Sequence, residues 1–161
     1  MISTVVITKN NEDKIKDCLE SVKNLSGEIL VMDGGSTDKT VAIAKQYGAR
    51  IIKQVGKGYS NWRNQGIKEA KREWIFYLDS DERVTDELKE EIKNIVDHVT
   101  IQPSSHVISA YAIPRRNIIL GREMRHGGWW PDYVTRLFKK SSLQKWVGDL
   151  HEEPGLGGNL P

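Results

Sequence analysis

At 161 residues, with 38% hydrophobic and 29% charged residues and a net charge of +2, the chain has the size and composition of one folded domain. These values exclude an intrinsically disordered segment and give no global attraction to nucleic acid, which is not expected as a partner. No apolar run approaches a membrane span and the N-terminus lacks the layout of a signal peptide, so a cytoplasmic protein is expected, with peripheral contact at the inner face of the cell membrane left open.

In chain order, the β-branched run Thr4 to Thr8 predicts a strand, and Lys9-Asn10-Asn11 a turn and helix cap. Ile15, Cys18, Leu19 and Val22 recur at helical spacing up to Gly27. The single cysteine, Cys18, lies on the apolar side of that helix and reads as a buried thiol, which suits a reducing compartment. Glu28 to Met32 is a second strand, closed by Asp33-Gly34-Gly35-Ser36-Thr37-Asp38. A helix with Val41, Ala44 and Tyr47 on one side then runs to Gly48. Ile51-Ile52 centres a third strand, Gly56-Lys57-Gly58 breaks the chain, and Trp62, Gly66 and Ala70 line one stripe of a third helix.

Trp74-Ile75-Phe76-Tyr77-Leu78 is too short for a helix core and reads as a buried fourth strand. After it Thr85 caps a fourth helix, with Leu88, Ile92 and Val96 inward. Four strand–helix alternations predict a parallel sheet with right-handed crossovers and helices on both faces. Ligands bind such sheets at the carboxyl ends of the strands, where every polar cluster named so far lies.

Beyond Pro103-Ser104-Ser105 the pattern changes. Val107 to Ile113, Asn117 to Leu120 and Val134 to Lys139 read as strands without intervening helices, an antiparallel or mixed extension of the same sheet. The tail from Pro154 to Pro161 has no regular pattern. We therefore expect a single domain over 1–161, with a ligand-binding half over 1–100 and a second half over 101–161. From Tyr111 to Trp146, eight Lys and Arg residues stand against Glu123 and Asp132 alone. This basic stretch, with Trp129 and Trp130 behind Gly127-Gly128, either faces an acidic or lipid-linked molecule or completes the core.

The fourth strand ends in Asp79-Ser80-Asp81. If the extended geometry persists, both carboxylates point to one face, and two such charges at a buried strand end need positive charge close by. A hard divalent cation, Mg²⁺ or Mn²⁺, bridging carboxylates to ligand phosphates supplies it; a solvated acidic turn is the alternative. Asp33 to Asp38 offers a helix N-terminus and backbone N–H groups at a neighbouring strand end, or else a tight turn with an ordinary cap. Arg63 and Lys57 approach the same edge; a guanidinium there suits a phosphate or a base, whereas Lys57 also fits a solvated face.

Four signals in order carry a resemblance: Val5-Val6-Ile7-Thr8 with Asn11; Asp33-Gly34-Gly35-Ser36-Thr37-Asp38 with Thr40; Arg63-Asn64 with Gly66 and Ala70; and Leu78-Asp79-Ser80-Asp81-Glu82. Together they resemble family 2 glycosyltransferases of the GT-A fold, and Arg136-Leu137-Phe138 with His151-Glu152 is similar to the lipopolysaccharide-core glucosyltransferase subgroup. The resemblance implies an α/β, Rossmann-like mixed sheet and an inverting, metal-dependent transfer from a UDP-linked sugar to a saccharide or lipid-linked hydroxyl. It implies that Thr8, Asn11 and Asp33 hold the base and ribose, and that Arg63 lies near base and diphosphate. Asp79 and Asp81 then form the DXD motif, with Asp79 also on the nucleotide sugar and Asp81 on Mg²⁺ or Mn²⁺. Asn10 stands where many relatives carry a base-stacking Tyr. Glu152 falls at the catalytic carboxylate, with Glu153 and Asp132 as rivals, and His151 could assist the metal or diphosphate.

Two other readings stay open. A sugar nucleotidyltransferase combines a similar sheet with carboxylate-bound metal, but its first strand leads into a Gly-rich loop, and Thr8-Lys9-Asn10-Asn11 has no glycine. A nucleotide-sugar-binding module without turnover would share the donor residues.

Overall fold

The computed structural model describes residues 1–54, 58–101, 108–148 and 152–157. In chain order the elements are β1 (Ile2–Thr8), α1 (Glu12–Val22), β2 (Glu28–Asp33), α2 (Thr40–Gln46), β3 (Arg50–Lys53), α3 (Tyr59–Glu69), β4 (Trp74–Asp79) and α4 (Asp86–Ile101). They continue with β5 (Ala110–Arg115), β6 (Ile118–Ile119), β7 (Arg122–Glu123), β8 (Asp132–Lys139), β9 (Leu143–Val147) and β10 (Glu153–Leu156).

Six strands form the main sheet in the order β3-β2-β1-β4-β8-β5. The first four are mutually parallel, β8 is antiparallel to β4, and β5 is antiparallel to β8. This is the α/β arrangement expected from the repeated strand–helix pattern, with antiparallel strands added later. β1 is buried throughout and β4 up to its last residue, because helices or further strands cover both faces.

Side-chain alternation sorts the core into two layers. Val6, Val31, Phe76 and Leu78 meet Ile15, Leu19 and Val22 of α1 and Ile92 and Val96 of α4. On the other face Val5, Ile7, Met32 and Tyr77 meet Phe138, Trp146 and the α3 side. Tyr77, Phe138 and Trp146 form an edge-to-face trio with centroids 5.1–5.9 Å apart. Thr85 caps α4 as expected, its Oγ1 accepting the Leu88 N–H at 3.3 Å.

The register levels the strand ends. Thr8 lies opposite Asp33, Ile7 opposite Asp79, and Asp33 opposite Lys53. The β1–β2–β4 carboxyl ends therefore present Thr8, Asp33 and Asp79 along one rim. Antiparallel pairing brings the opposite end of β8 to that rim: Leu137 pairs with Phe76, which leaves Arg136 beside the end of β4.

Three expectations are corrected. The tail is not patternless: Glu153 to Leu156 pairs antiparallel with β9, despite Pro154 and Gly155. The late half is not wholly an extension of the main sheet, since only β5 and β8 join it, while β9–β10 and β6–β7 form separate two-stranded sheets. Asn11 does not cap α1 with its side chain, and reaches across to Ser80 instead. The strand expected from Val107 begins at Ala110, Val107 itself lying outside the described residues. No described helix is long and apolar enough to cross a membrane.

A methyl group on Gly66 would lie 2.8 Å from Val5 Cγ1, so α3 sits against β1 only because this position lacks a side chain. Alanine improves helix propensity by about 1 kcal/mol, but the buried clash costs about 1–3 kcal/mol. Gly66→Ala is expected to lower unfolding free energy by up to roughly 2 kcal/mol in urea titration. Burial, reinforced by the Glu82 charge, pushes the Cys18 thiol up to about 12. At pH 8 roughly one thiol in ten thousand is then ionised, so a thiol reagent should label Cys18 only as the chain unfolds.

Candidate functional site

The turn after β2 is built by Asp33. Its carboxylate accepts the backbone N–H groups of Gly35 at 3.2 Å and Ser36 at 3.1 Å. Gly35 adopts φ +84°, a conformation that side chains disfavour. Asn10, itself at φ 49°, accepts the Thr37 N–H at 2.8 Å, and Asn11 donates its backbone N–H to Thr40 Oγ1 at 2.8 Å. The loops after β1 and β2 thus hold one another. Asn11 Nδ2 also donates to Ser80 Oγ at 2.7 Å, tying the β1 loop to the acidic turn after β4. Thr8 Oγ1 is buried at the strand end and has no hydrogen-bond partner among the described residues.

Asp79 is the hub. Arg63 Nη2 donates to its Oδ1 at 3.2 Å, and Arg136 Nη2 donates to its Oδ2 at 2.7 Å. Burial pushes the Asp79 carboxyl up, but Arg136 and then Arg63 outweigh it and hold the group below the usual carboxylate range. The network extends outward from there. Arg136 also donates to Glu82 Oε1 at 2.6 Å, Arg115 reaches Glu82 at 3.4 Å and Asp132 at 2.7 Å, and Asn117 donates to Asp132 at 3.0 Å.

β4 ends at Asp79, so Asp79 and Asp81 do not share an extended strand face. The cause is local: the Glu82 N–H donates to Asp79 O at 2.9 Å, closing a turn, while Glu82 Oε2 accepts the Asp79 N–H at 3.1 Å. Asp81 stands on this clamped turn, exposed, and its carboxylate has no hydrogen bond or ion pair among the described residues.

An open cavity of about 430 Å³ lies beside the hub. Arg63, Asp79, Arg136, Trp146, Glu152 and Glu153 are among the residues that line it. Arg63 is only 7% exposed, its guanidinium 4.9 Å from the Trp146 ring centroid and 5.5 Å from that of Tyr77. Its Nε and Nη1 find no hydrogen-bond partner among the described residues. Glu152 approaches Nε at 3.9 Å, with its side chain 14% exposed.

Of the rivals to Glu152, Glu153 is exposed and Asp132 is engaged. Hydrogen bonds from Asn117 and Arg115 hold Asp132 below the usual carboxylate range. Lys57 and His151 lie outside the described residues.

The structure brings Arg63, Asp79 and Glu152 together at the cavity, with Thr8, Asn11 and Asp33 at the neighbouring strand ends. Sequence reasoning gave no role to Arg136, Glu82, Asn64 or Trp146. The available signal for Arg136 was a charge between Val134 and Phe138 on a strand face otherwise apolar. Asn64 clasps β9 to α3: its Nδ2 donates to Trp146 O at 2.9 Å and its Oδ1 accepts the Trp146 N–H at 2.7 Å.

Among the described residues no group of three or more His, Cys, Asp or Glu side chains forms a ready-made metal cage. Mg²⁺ and Mn²⁺ need less, binding through one or two carboxylates with ligand phosphates completing the set. Asp81 fits that requirement with a free hard-oxygen donor, whereas both Asp79 oxygens are committed to arginines.

A parallel sheet with an acidic motif at its fourth strand's tip, extended by antiparallel strands, is the arrangement of the GT-A fold. The model of glycosyl transferase family 2 matches residues 3–148, and the chain belongs to that family. An uncharacterized glycosyltransferase of Rickettsia typhi is 40% identical over 94 residues, covering 58% of this chain and 32% of the relative. The prophage-derived glycosyltransferase SunS of Bacillus subtilis is 31% identical over 160 residues, covering 95% of this chain and 34% of SunS. The chain thus spans about a third of the length of these curated relatives.

Among solved structures, S. aureus TarS 1-349 in complex with UDP-GlcNAc aligns with a TM-score of 0.61 at 19% identity, over 87% of this chain and 45% of that one. Glucosyl-3-phosphoglycerate synthase from Mycobacterium tuberculosis with Mn²⁺, UDP and glucosyl-3-phosphoglycerate aligns with a TM-score of 0.50 at 22% identity, over 62% and 39%. At these identities the likeness is one of fold.

Removing Arg136 would leave Asp79 and Glu82 without their shortest ion pairs. A fully buried pair broken in this way costs about 3–5 kcal/mol, but Asp79 is a third exposed and water relieves part of that. Arg136→Met is expected to lower unfolding free energy by about 2 kcal/mol, read by urea titration at neutral pH.

Proposed function

We propose that this chain is the donor-binding and catalytic region of an inverting glycosyltransferase that uses a UDP-linked sugar with Mg²⁺ or Mn²⁺. The observation that carries the reading is the convergence of Arg63, Asp79 and Glu152 on one cavity at the carboxyl ends of the parallel strands. Family membership supports it. So do the fold relatives, described with UDP-GlcNAc in one case and with Mn²⁺ and UDP in the other.

In this reading Thr8, Asn11 and Asp33 receive the base and ribose. Thr8 Oγ1 has no hydrogen-bond partner among the described residues, and Asp33 keeps lone pairs beyond those used in its turn. Asp79, held by its two arginines, presents a fixed rim to the nucleotide sugar. Arg63, whose Nε and Nη1 are buried without a hydrogen-bond partner among the described residues, would turn these donors to the diphosphate, where negative charge grows as the sugar–phosphate bond breaks. Asp81 would hold the divalent cation, which when bound compensates the charge of the departing diphosphate.

Glu152 takes the proton from the acceptor hydroxyl as its oxygen forms the new bond to the anomeric carbon. A general base must keep a free lone pair. Glu152, at 3.9 Å from Arg63, is more loosely paired than Asp79, Glu82 or Asp132. Attack from the face opposite the leaving diphosphate inverts the anomeric centre. The acceptor is a hydroxyl of a saccharide or lipid-linked saccharide. The narrower likeness to lipopolysaccharide-core glucosyltransferases points to cell-envelope polysaccharide synthesis, and the free thiol Cys18 suits the cytoplasm, where the donor would be met.

A panel of nucleotide sugars with and without Mn²⁺ tests this by thermal unfolding and nucleotide release. UDP-sugars should raise the melting temperature only with metal, and Asp81→Ala should abolish that effect. Glu152→Gln should leave the stabilisation intact while slowing release by at least about a hundredfold. Stabilisation with full release by Glu152→Gln would move the base to another residue, and binding without any release would favour a nucleotide-sugar-binding module.

A further inference from the structure

Six of the ten large apolar or aromatic side chains exposed among the described residues fall between residues 118 and 133: Ile118, Ile119, Leu120, Trp129, Trp130 and Tyr133. They do not belong to the donor cavity. Ile118 and Ile119 form one strand of the β6–β7 hairpin, and Leu120 stands at its turn, 98% exposed. The Met124 N–H donates to Asn117 O at 2.9 Å, closing the hairpin base, and Asn117 Nδ2 donates to Trp129 O at 3.2 Å. Hairpin and tryptophan loop are thereby one surface.

Leu120 has φ 49°, in the left-handed region that favours Gly, Asn or Asp. A turn under selection for folding alone would carry one of those residues. Here the most exposed apolar side chain of the described residues occupies a backbone position that disfavours it, which points to use at the tip.

Charge decides among occupants. Arg116, Arg122 and Arg125 flank the hairpin, and Glu123 bonds to both Arg116 and Arg125 at 2.9–3.1 Å. Hydrogen bonds from these two arginines hold the Glu123 carboxyl at about 2, so it stays ionised and the hairpin keeps a surplus of two positive charges. An exposed aliphatic tip, two half-exposed tryptophans and neighbouring arginines are the residue types that a lipid surface takes up in its acyl chains, its interface and its anionic headgroups.

We propose that the β6–β7 hairpin and the Trp129-Trp130 loop form a docking surface for a membrane rich in anionic lipid. The surface does not depend on the transfer reaction for its existence. Its placement is nonetheless apt, because Asn117 and Asp132 link it to Arg115 on the cavity wall. A lipid-linked acceptor held in that membrane would meet the site from the near side.

The test measures flotation of the 161-residue protein with vesicles of phosphatidylcholine alone or mixed equally with phosphatidylglycerol. Binding is expected to the mixed vesicles, to weaken with rising salt, and to shift tryptophan emission to the blue. Ile118→Thr/Ile119→Thr/Leu120→Asn keeps β-branching in the strand and relieves the turn, so it should fold with an unchanged melting temperature. It should lose vesicle binding by about tenfold or more, while metal-dependent stabilisation by UDP-sugars stays as in the parent. Arg122→Gln/Arg125→Gln should bind severalfold more weakly at low salt.

Absence of parent binding to the mixed vesicles, or equal binding by the triple variant, would overturn the proposal. Equal binding to phosphatidylcholine alone would overturn its electrostatic half. Self-association that the triple variant abolishes, without vesicle binding, would assign the patch to a protein contact instead. Because UDP-sugar stabilisation is read separately, failure of the docking surface and failure of the proposed function give different results.

Discussion

Two guanidinium groups, one from α3 and one from β8, close on the two oxygens of a single carboxylate at the end of β4. Leaving any one of these charges without its partner there is costly. Asp79 stands at the tip of a strand buried on both faces, and Arg63 and Arg136 are themselves almost wholly withdrawn from water. Apolar layers tolerate small slides of one element on another, because many registers bury similar area. The ion pairs of this cluster do not, since a slide of one residue leaves a charge unpaired at a cost of about 2 kcal/mol. The contribution of this cluster is therefore to select one register for α3 and β8 more than to deepen the native well.

That selection also fixes what is left over. Arg63 spends one nitrogen on Asp79, and its other two, Nε and Nη1, are buried without a hydrogen-bond partner among the described residues. Around the same wall three guanidinium groups, Arg63, Arg115 and Arg136, face four carboxylates, Asp79, Glu82, Asp132 and Glu152. Three of those acids are bound at hydrogen-bonding distance to an arginine, and Glu152 is not. A site with anion donors on one side and an under-neutralised carboxylate on the other is suited to chemistry in which one reactant gains negative charge while another loses a proton.

Much of the parallel half is legible in the chain because its determinants are local. Apolar runs of five to seven residues, separated by amphipathic helices with turn residues at their ends, admit few other arrangements. The strand-end polar clusters follow from the same pattern: Thr8 and Asp33 lie level, and Asp79 stands one residue back, opposite Ile7. What depends on long-range pairing was less readable. Pro154 and Gly155 look like turn residues, and only the partner strand β9, with Leu156 packed on the core layer that contains Trp146, makes them part of a ladder. The turn after Asp79 closes through a backbone bond to Glu82, so alternation along the strand could not foresee where Asp81 goes. Arg136 reads as one basic residue among eight and as part of a short family-like motif, with no contact assigned, until the antiparallel register sets it against β4.

The double clasp between the Asn64 amide and the Trp146 backbone bears on how the cavity wall moves. Arg63 and Asn64 are neighbours on α3. The first presents its guanidinium to the cavity, and the second grips β9, whose hydrogen-bonded partner β10 begins directly after Glu152. The acid and the cation it faces thus hang from one helical turn. Because Arg63 is also held to Asp79 at the end of β4, the same turn of α3 ties the Arg63–Glu152 spacing to the rim of the sheet, and a change at Asn64 would reach the cavity wall through β9 and β10 without touching either charge.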